Sequence, residues 1–261
     1  MSKNISDNSQ RKQYFFVVRE LVSREIKRKY SRSKLGILWS VLNPLLSMAV
    51  LSMIFSTMFS RSIENYPIYY LTGYTIWNLF TNATNTAMTS LVDNKTLLLQ
   101  VKLPKVIFPV ARVYTAFVNF LYSLIAYAIM LIVFKVKPDI HMLWFPVIVA
   151  FLLLFCMGVS YILTIAFSFF GDIKHLYSVI LTLWMYLSAI FYPVDALPDF
   201  AYKVIVLNPI YIFIASARNC MMYGVTPSLG QWLRMVLSAG IAYLIGWFCF
   251  KKMQDKIIQK I

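Results

Sequence analysis

Six long stretches of the sequence carry almost no charge, and they constrain the fold more than any other feature. They lie at about residues 37–59, 67–92, 113–134, 143–170, 176–194 and 233–250. An α-helix rises ~1.5 Å per residue, so about 20 residues cross the ~30 Å hydrocarbon layer of a bilayer. Only 13% of the residues are charged and 60% are hydrophobic, a balance that water-soluble domains do not show. The sequence therefore predicts an all-α integral membrane protein with six transmembrane helices.

Basic residues are distributed unevenly between the two sides of this predicted topology. One side holds 19 of the 25 Lys and Arg residues, in residues 1–34, in 93–112, at Lys174 and after residue 250. The other side holds the remaining six, which are Arg61, Lys135, Lys137, Lys203, Arg218 and Arg234. Because basic residues accumulate on the cytosolic side, both termini are predicted to be cytoplasmic. The net charge of +15 then reflects contact with anionic lipid, and nucleic acid is not an expected partner.

The chain divides into a cytosolic N-terminus, residues 1–34, and one six-span membrane domain, residues 35–261. Within the N-terminus, residues 13–29 have an amphipathic pattern, with Leu21, Val22 and Ile26 at helical spacing between basic residues. Such an interface helix lies on the membrane surface or docks on a partner, and the pattern fits both.

The segment between the fifth and last spans, residues 195–231, does not have the length pattern of a span. Its apolar stretch 204–217 has 14 residues and is interrupted by Pro209. A stretch this short is typical of re-entrant or interfacial helices. We therefore predict short re-entrant outer helices in this segment.

Residues 93–112 are predicted to be a cytosolic segment between the second and third spans. Pro104 and Pro109 disfavour one long helix and predict two short ones. The apolar residues between Lys95, Lys102 and Lys105 require a covering surface, which is either the membrane or a partner protein.

The sequence contains no pattern typical of a catalytic or metal site. All ten Asp and Glu residues lie outside the predicted spans, which disfavours ion-coupled transport. Asp139 with His141 and Asp172 with His175 have no nucleophile or ligand cluster beside them, and we predict that they are solvated loop pairs. The glycine spacing excludes a phosphate-binding loop. We expect no enzyme activity, no metal and no cofactor, so that ATP, if used, is bound by another subunit.

Residues 28–46, RKYSRSKLGILWSVLNPLL, resemble the entry to the first span in permeases of type-2 ABC exporters. The resemblance is closest to the branch that exports O-antigen, teichoic acid and related polysaccharides across the bacterial inner membrane. The matching residues are Arg28, Tyr30, Ser33, Leu35, Gly36, Trp39, Asn43 and Pro44. Weaker likenesses to the family's cytosolic connections and outer segment follow at residues 102–112, Asp172-Ile173, Tyr192-Pro193 and Leu207-Asn208-Pro209. Gly171 differs from the family, which often has Arg at this position.

The resemblance implies a permease that works as a pair, with two copies of a separate ATPase bound beneath it. The implied cargo is a polysaccharide, typically carried on a polyprenyl pyrophosphate lipid. Residues 195–231 would form an external gate. The residues implied to couple the permease to the ATPase are Leu98, Lys102, Leu103, Pro104, Lys105, Asp172 and Ile173.

Aromatic side chains on the first, second and fifth spans are the candidates for the cargo path. The second span also carries many Thr and Asn residues, which either bind sugar hydroxyls or hold helices together. Its aromatics could equally form the interfacial belt, and the resemblance places the first and fifth spans near the axis of the pair. The candidate path residues are Trp39, Phe55, Phe59, Tyr70, Tyr74, Trp77, Trp184, Tyr186, Phe191 and Tyr192.

Four basic residues precede the first span: Arg28, Lys29, Arg32 and Lys34. They act as a topology signal, as pyrophosphate ligands through charge-assisted hydrogen bonds, or as both.

Other functions remain compatible with the chain. A small-molecule or drug exporter, or a passive channel, fits the polar second span equally well. A membrane enzyme acting on lipid-linked substrates would need a catalytic cluster that the sequence does not display. Residues 28–46 favour polysaccharide export over these alternatives.

Overall fold

The computed structural model describes residues 2–31, 33–59, 63–101 and 103–257, with side chains from residue 13 onward. All regular structure in these ranges is helical. The α-helices are α1 (Ser2–Tyr30), α2 (Trp39–Met58), α3 (Tyr66–Met88), α4 (Ser90–Asp93), α5 (Lys95–Gln100), α6 (Ile107–Val133), α7 (Phe145–Phe169), α8 (Ile173–Tyr186), α9 (Asp199–Leu207), α10 (Pro209–Met221) and α11 (Leu229–Ile257). Short 3₁₀ segments cover Gly36–Leu38, Ile140–Trp144 and Val194–Ala196.

Four helical segments of the described chain are long and apolar enough to cross a membrane. They are Gly36–Met58, Ile107–Val133, Ile140–Phe169 and Leu229–Ile257. Helices α9 and α10 meet at a bend of 91° and would add a fifth crossing only if taken together. The first, third, fourth and last predicted apolar stretches are therefore confirmed as helices of spanning length.

Helix α3, the predicted second span, lies at the centre of the bundle although it is more polar than those four segments. It contacts α2, α6, α7 and α10. Thr72 and Thr84 donate hydrogen bonds to the carbonyls one turn earlier in their own helix, at 2.7 and 2.8 Å. The phenols of Tyr127 and Tyr177 hydrogen-bond to these same two hydroxyls at 2.7 Å. The two threonines therefore serve helix packing.

Helix α8 is shorter than the predicted fifth span, which covered residues 176–194. The helix has 14 residues and ends at Tyr186, so it rises only ~21 Å. Residues 187–193 form turns, and Ala189 adopts a left-handed backbone conformation with φ of 49° that an α-helix cannot contain. Hydrogen bonds from α3, from Asn208 at the α9–α10 junction and from Arg218 of α10 stabilise these turns, and all of these donors are distant in sequence.

Residues 93–112 contain one short helix rather than two. Helix α5 confirms the prediction of a short helix before Pro104. Pro109, however, lies in the first turn of α6, where a proline replaces no helical hydrogen bond. The prediction that Pro109 separates two short helices is therefore wrong.

Helix α1 packs its apolar face against the rest of the chain. Leu21 and Val22 share one buried cluster with Ile107 of α6 and with Phe250 and Ile257 of α11. This cluster defines one end of the bundle, called the α1 end, and both termini of the described chain lie there. The opposite end holds the start of α3 together with residues 187–193, α9 and α10.

Helices α7 and α11 cross so closely that two glycines are required. A Cβ atom on Gly246 would lie 2.2 Å from the carbonyl oxygen of Gly158, and a Cβ on Gly158 would lie 2.3 Å from the Ala242 carbonyl. These backbone atoms cannot give way as a flexible side chain could, so the two helices would have to separate.

Replacing Gly246 with alanine is therefore expected to lower the free energy of unfolding by about 1–3 kcal/mol, the usual cost of overpacking. Thermal unfolding of the detergent-solubilised protein measures this loss. Gly240→Ala on the same helix is the matched control, because a Cβ there meets no atom within 4 Å. Equal unfolding midpoints for the two variants would contradict the close crossing.

Candidate functional site

A polar cleft lies at the α1 end between α1, α2, α3 and α6. Two cavities of about 170 and 300 Å³ form it. They adjoin each other, since both are lined by Lys29, Asn82, Ala116 and Asn119. The remaining lining is mostly amide, hydroxyl and basic, and it includes Arg28, Tyr30, Ser40, Asn43, Asn78, Thr86, Arg112 and Thr115.

The asparagines of the cleft lie on three of its helices, α2, α3 and α6. Asn78 and Asn82 are one turn apart on α3, and the Asn82 Nδ2 donates to the Asn78 carbonyl at 2.9 Å. Asn119 of α6 accepts hydrogen bonds from the Tyr30 hydroxyl at 2.8 Å and from the Lys29 ammonium at 3.3 Å. The last turn of α1 is thereby joined to the wall of the cleft.

An ion-pair network forms the floor of the cleft. Arg112 is 7% exposed, and its guanidinium donates to the Glu25 carboxylate at 2.6 Å and to the Asp93 carboxylate at 2.9 Å. Glu25 is itself 8% exposed, and Arg28 lies 3.7 Å from it. Burial weakens the solvation of these charges, and their pairing offsets that cost and joins α1 to α4 and α6.

The cleft is electropositive at this floor. The Glu25 and Asp93 carboxylates offset the charge of Arg112, so the excess positive charge comes from Arg28 and Lys29. The combination of basic groups with neutral amides suits an anion that also carries hydroxyl groups.

The basic residues predicted to meet a headgroup divide between the cleft and its surroundings. Arg28 and Lys29 line the cleft. Lys34 is exposed beyond the end of α1. Arg32 lies outside the described residues.

Two of the predicted path aromatics also border the cleft. Trp39, which is 41% exposed, and Tyr74 both line the smaller cavity. Tyr70 and Trp77 are instead buried in the core, where Tyr70 stacks on Tyr74 and Trp77 packs on Phe80. These two buried side chains support the fold of the single chain.

The remaining path candidates lie at the opposite end of the bundle. Phe55 of α2 and Phe59, which directly follows this helix, are half-buried and pack on Tyr66. Phe191 stacks on Tyr70 with a centroid distance of 5.9 Å. The structure thus brings these candidates together around the start of α3.

Trp184 joins α8 to the α9–α10 junction. Its indole nitrogen donates to the Asn208 side-chain oxygen at 2.8 Å, and the Asn208 amide donates to the Leu187 carbonyl at 2.9 Å. Nearby, the Tyr192 hydroxyl donates to the Tyr186 carbonyl, while the Tyr186 ring is exposed. Trp184 therefore has a structural role in addition to any contact with cargo.

Arg218 is the most deeply buried basic residue described at this end, and the sequence indicated only that it lies on the predicted outer side. It is 4% exposed and its guanidinium donates to the carbonyls of Tyr69, Ala189 and Ile190 at 2.9 to 3.2 Å. The guanidinium carbon lies 3.4 Å from the Tyr69 ring centroid. A Cβ atom on Gly73 would lie 2.7 Å from the Arg218 guanidinium nitrogen Nη2, so a glycine at this position makes room for the arginine.

These contacts define the Arg218 clamp, which fixes the turns of residues 187–193 against α3. The Tyr69 hydroxyl reinforces the clamp by donating to the Tyr192 carbonyl at 2.8 Å. Burial raises the pKa of the neighbouring Tyr223 phenol, an effect that the positive charge of Arg218 opposes.

The residues predicted to couple the chain to an ATPase mostly lie at the α1 end. Leu98 and Leu103 pack partly buried on the cluster that holds α1. Lys105 donates to the Gln254 carbonyl at 2.6 Å and to the Asp255 carboxylate at 3.0 Å, which joins this segment to the end of α11.

The other predicted coupling residues are Pro104, Lys102, Asp172 and Ile173. Pro104 is half-buried, and its carbonyl accepts a hydrogen bond from the Ile107 amide. Asp172 is exposed and Ile173 is half-buried at the start of α8, while Lys102 lies outside the described residues.

The titratable pairs in the loops form no larger cluster. His141 Nδ1 lies 2.7 Å from the Thr226 hydroxyl, and its backbone amide donates to Asp139. Within the described ranges, no three His, Cys, Asp or Glu side chains are grouped in a way that could hold a metal ion.

Sequence reasoning missed Glu25, Arg112 and Asn119 as parts of one site. Asn119 did give a signal, because it is the only amide side chain in the predicted third span. The pairing of Glu25 with Arg112 joins residues 87 positions apart, which no local pattern reveals.

Several apolar helices of spanning length, packed together in one bundle, define a multi-pass membrane protein. Residues 17–222 match the ABC-2 type transporter family, and the chain belongs to this family. Its location is therefore the cytoplasmic membrane of a bacterium.

Several curated relatives are export permeases. The chain is 31% identical over 206 residues to the O-antigen export system permease protein RfbA of Myxococcus xanthus, covering 78% of this chain and 79% of that protein. It is 26% identical over 241 residues to RfbA of Klebsiella pneumoniae, with 92% of each covered. It is 30% identical over 203 residues to the capsule polysaccharide export inner-membrane protein CtrC of Neisseria meningitidis, with 74% of each covered. The chain is thus related to permeases of polysaccharide exporters.

Proposed function

We propose that this chain is the permease subunit of an ATP-driven exporter that moves a polysaccharide linked to polyprenyl pyrophosphate across the cytoplasmic membrane. The observation that carries this proposal is the cleft at the α1 end. Its basic floor suits a pyrophosphate and its asparagine walls suit sugar hydroxyls. The relatives named as O-antigen and capsule export proteins support the same class of cargo.

In the proposed topology the α1 end faces the cytosol and the chain crosses the membrane six times. Helices α2, α3, α6, α7 and α11 each have the length of a span. The fifth crossing consists of α8 together with the turns of residues 187–193. Helices α9 and α10 then re-enter from the outer side and form the external gate. The uneven distribution of basic residues supports this orientation.

The proposed assembly contains two copies of this chain and two copies of a separate ATPase. Helices α2 and α8 support the pairing, because each presents apolar side chains that nothing in the described single chain covers. Those on α2 include Met53 and Met58, and those on α8 include Val179 and Leu183. The ATPase would bind at the α1 end beside α5 and the start of α8, and it would bind the ATP.

Co-purification from native membranes in mild detergent tests this assembly. We expect a stable complex with a nucleotide-binding ATPase whose ATP hydrolysis changes when lipid-linked polysaccharide is added. A chain that purifies without an ATPase would contradict the proposal and favour a passive channel. A complex whose hydrolysis responds to small drugs but not to the glycan would favour a drug exporter.

Single neutralisation of the basic residues tests their role at the cleft. If Lys29 contacts the headgroup, Lys29→Gln should reduce export about tenfold without changing membrane orientation, because one lost charge-assisted bond costs about 1.5 kcal/mol or more. Lys34→Gln is the matched control, since Lys34 precedes the same span but lies outside the cleft. Surface glycan measured per molecule of membrane-inserted protein gives the result. Equal export by the two variants would mean that the basic residues act only on topology.

A further inference from the structure

The cleft is complete within a single chain and does not need a second copy. Its four walls are α1, α2, α3 and α6 of the same molecule. A pair of permeases would contain two such clefts.

The asparagines of the cleft have unused hydrogen-bonding capacity. Asn82 donates to the carbonyl and side-chain oxygens of Asn78, which leaves the Asn82 oxygen and the Asn78 amide protons for another group. Within the part of the chain that the structure describes, nothing hydrogen-bonds the Asn43 side chain, which lines the same cavity. Asn43 is exposed in the single chain, so its amide is accessible to a ligand, whereas Asn78 and Asn82 are half-buried.

The two parts of the cleft differ in chemistry. The larger cavity is lined by Arg28 and Lys29, which suit phosphate, while its Arg112 is already bonded to the Glu25 and Asp93 carboxylates. The smaller cavity is lined by four asparagines, among them Asn119, and by the rings of Trp39 and Tyr74, and it suits sugar. Aromatic rings offer apolar faces to the C–H surfaces of a sugar, and amides bond its hydroxyls in both directions.

We infer that each chain binds the pyrophosphate-linked first sugar of the cargo in this cleft before the polysaccharide enters the path between the two copies. Asn43, Asn78 and Asn82 bind the sugar hydroxyls, and Lys29 lies at the phosphate end. This inference rests on the proposed function, and it adds the place where the reducing end of the cargo is held.

Binding to the full-length chain in lipid nanodiscs tests the inference. The probes are a short-chain prenyl pyrophosphate without sugar and the same pyrophosphate carrying one glucose, galactose or N-acetylglucosamine. We expect at least one sugar probe to bind about tenfold more tightly than the sugar-free probe, the gain from two or three additional hydrogen bonds. Asn43→Leu and Asn82→Leu should each reduce this sugar gain to twofold or less.

Asn85→Leu is the matched control, because Asn85 is an exposed asparagine on α3 outside the cleft and should keep the full gain. Unchanged binding of the sugar-free probe shows that a variant is folded. A sugar gain that survives both cleft variants, or no gain for any of the three sugars, overturns the inference and leaves the proposed function intact. Failure of the unmodified chain to bind even the sugar-free pyrophosphate would contradict both.

Discussion

Replacing Arg112 with methionine is expected to destabilise the protein by about 3 kcal/mol, because the change leaves the buried Glu25 carboxylate without its closest partner. This is the lower end of the usual cost of breaking a buried ion pair, since Arg28 remains 3.7 Å from Glu25. The thermal unfolding midpoint of the detergent-solubilised protein should fall by roughly 6–12 °C for a chain of this size. Because α1 would lose its main polar contact with α6, export should be lost as well.

A second substitution distinguishes the ion pair from simple packing. Adding Glu25→Gln to Arg112→Met removes the unpaired charge and should recover at least half of the lost stability. Arg19→Met is the matched control, because Arg19 is exposed on the same helix α1 and its loss should change the midpoint little. If Arg112→Met and Arg19→Met unfold at the same temperature, the floor of the cleft does not depend on this network.

Replacing Arg218 with methionine is expected to cost about 4 kcal/mol and to release the turns of residues 187–193. Three carbonyls lose their donor together, and hydrogen bonds to a charged group contribute about 1.5–3 kcal/mol each before non-additivity is considered. A cysteine introduced in place of Val194, which is buried just beyond these turns, should become more accessible to thiol reagents in the variant. Thermal unfolding and thiol labelling of the same preparation measure both effects.

The substitution Arg218→Lys distinguishes the effect of the positive charge from the effect of the hydrogen-bond geometry. A lysine keeps the positive charge but lacks the planar fork that bonds three carbonyls at once, so it should restore less than half of the stability. Arg234→Met is the control for loss of a basic residue, because Arg234 is exposed on α11. Full restoration by lysine, or a loss no larger than that of Arg234→Met, would contradict the clamp.

The apolar helices could be predicted from sequence because their signal is local. The stretches beginning near residues 37, 113, 143 and 233 are each long enough to span a bilayer and carry at most one charge. Helix α3 could also be predicted, although it is more polar, because its many Thr and Asn residues are uncharged. Its central position depends on hydroxyl pairs such as Thr72 with Tyr127, which join different helices.

The end of α8 could not be predicted, because the sequence remains apolar well beyond Tyr186. The helix ends where Asn208 and Arg218 bind the carbonyls of Leu187, Ala189 and Ile190, and these contacts join residues at least 21 positions apart. The same limit applies to the cleft. Its basic edge at Arg28 and Lys29 was visible in sequence, whereas its floor at Arg112 was predicted only as the end of the cytosolic segment 93–112.

Transport by the purified complex in proteoliposomes tests the central claim most directly. The complex of this chain with its ATPase is reconstituted with lipid-linked polysaccharide, and a glycosidase on the far side detects molecules that have crossed. The account predicts ATP-dependent arrival of glycan on that side and none with a non-hydrolysable ATP analogue. Equal amounts of glycan on that side with and without ATP hydrolysis, or no glycan there while ATP is hydrolysed, would contradict the proposed ATP-driven export.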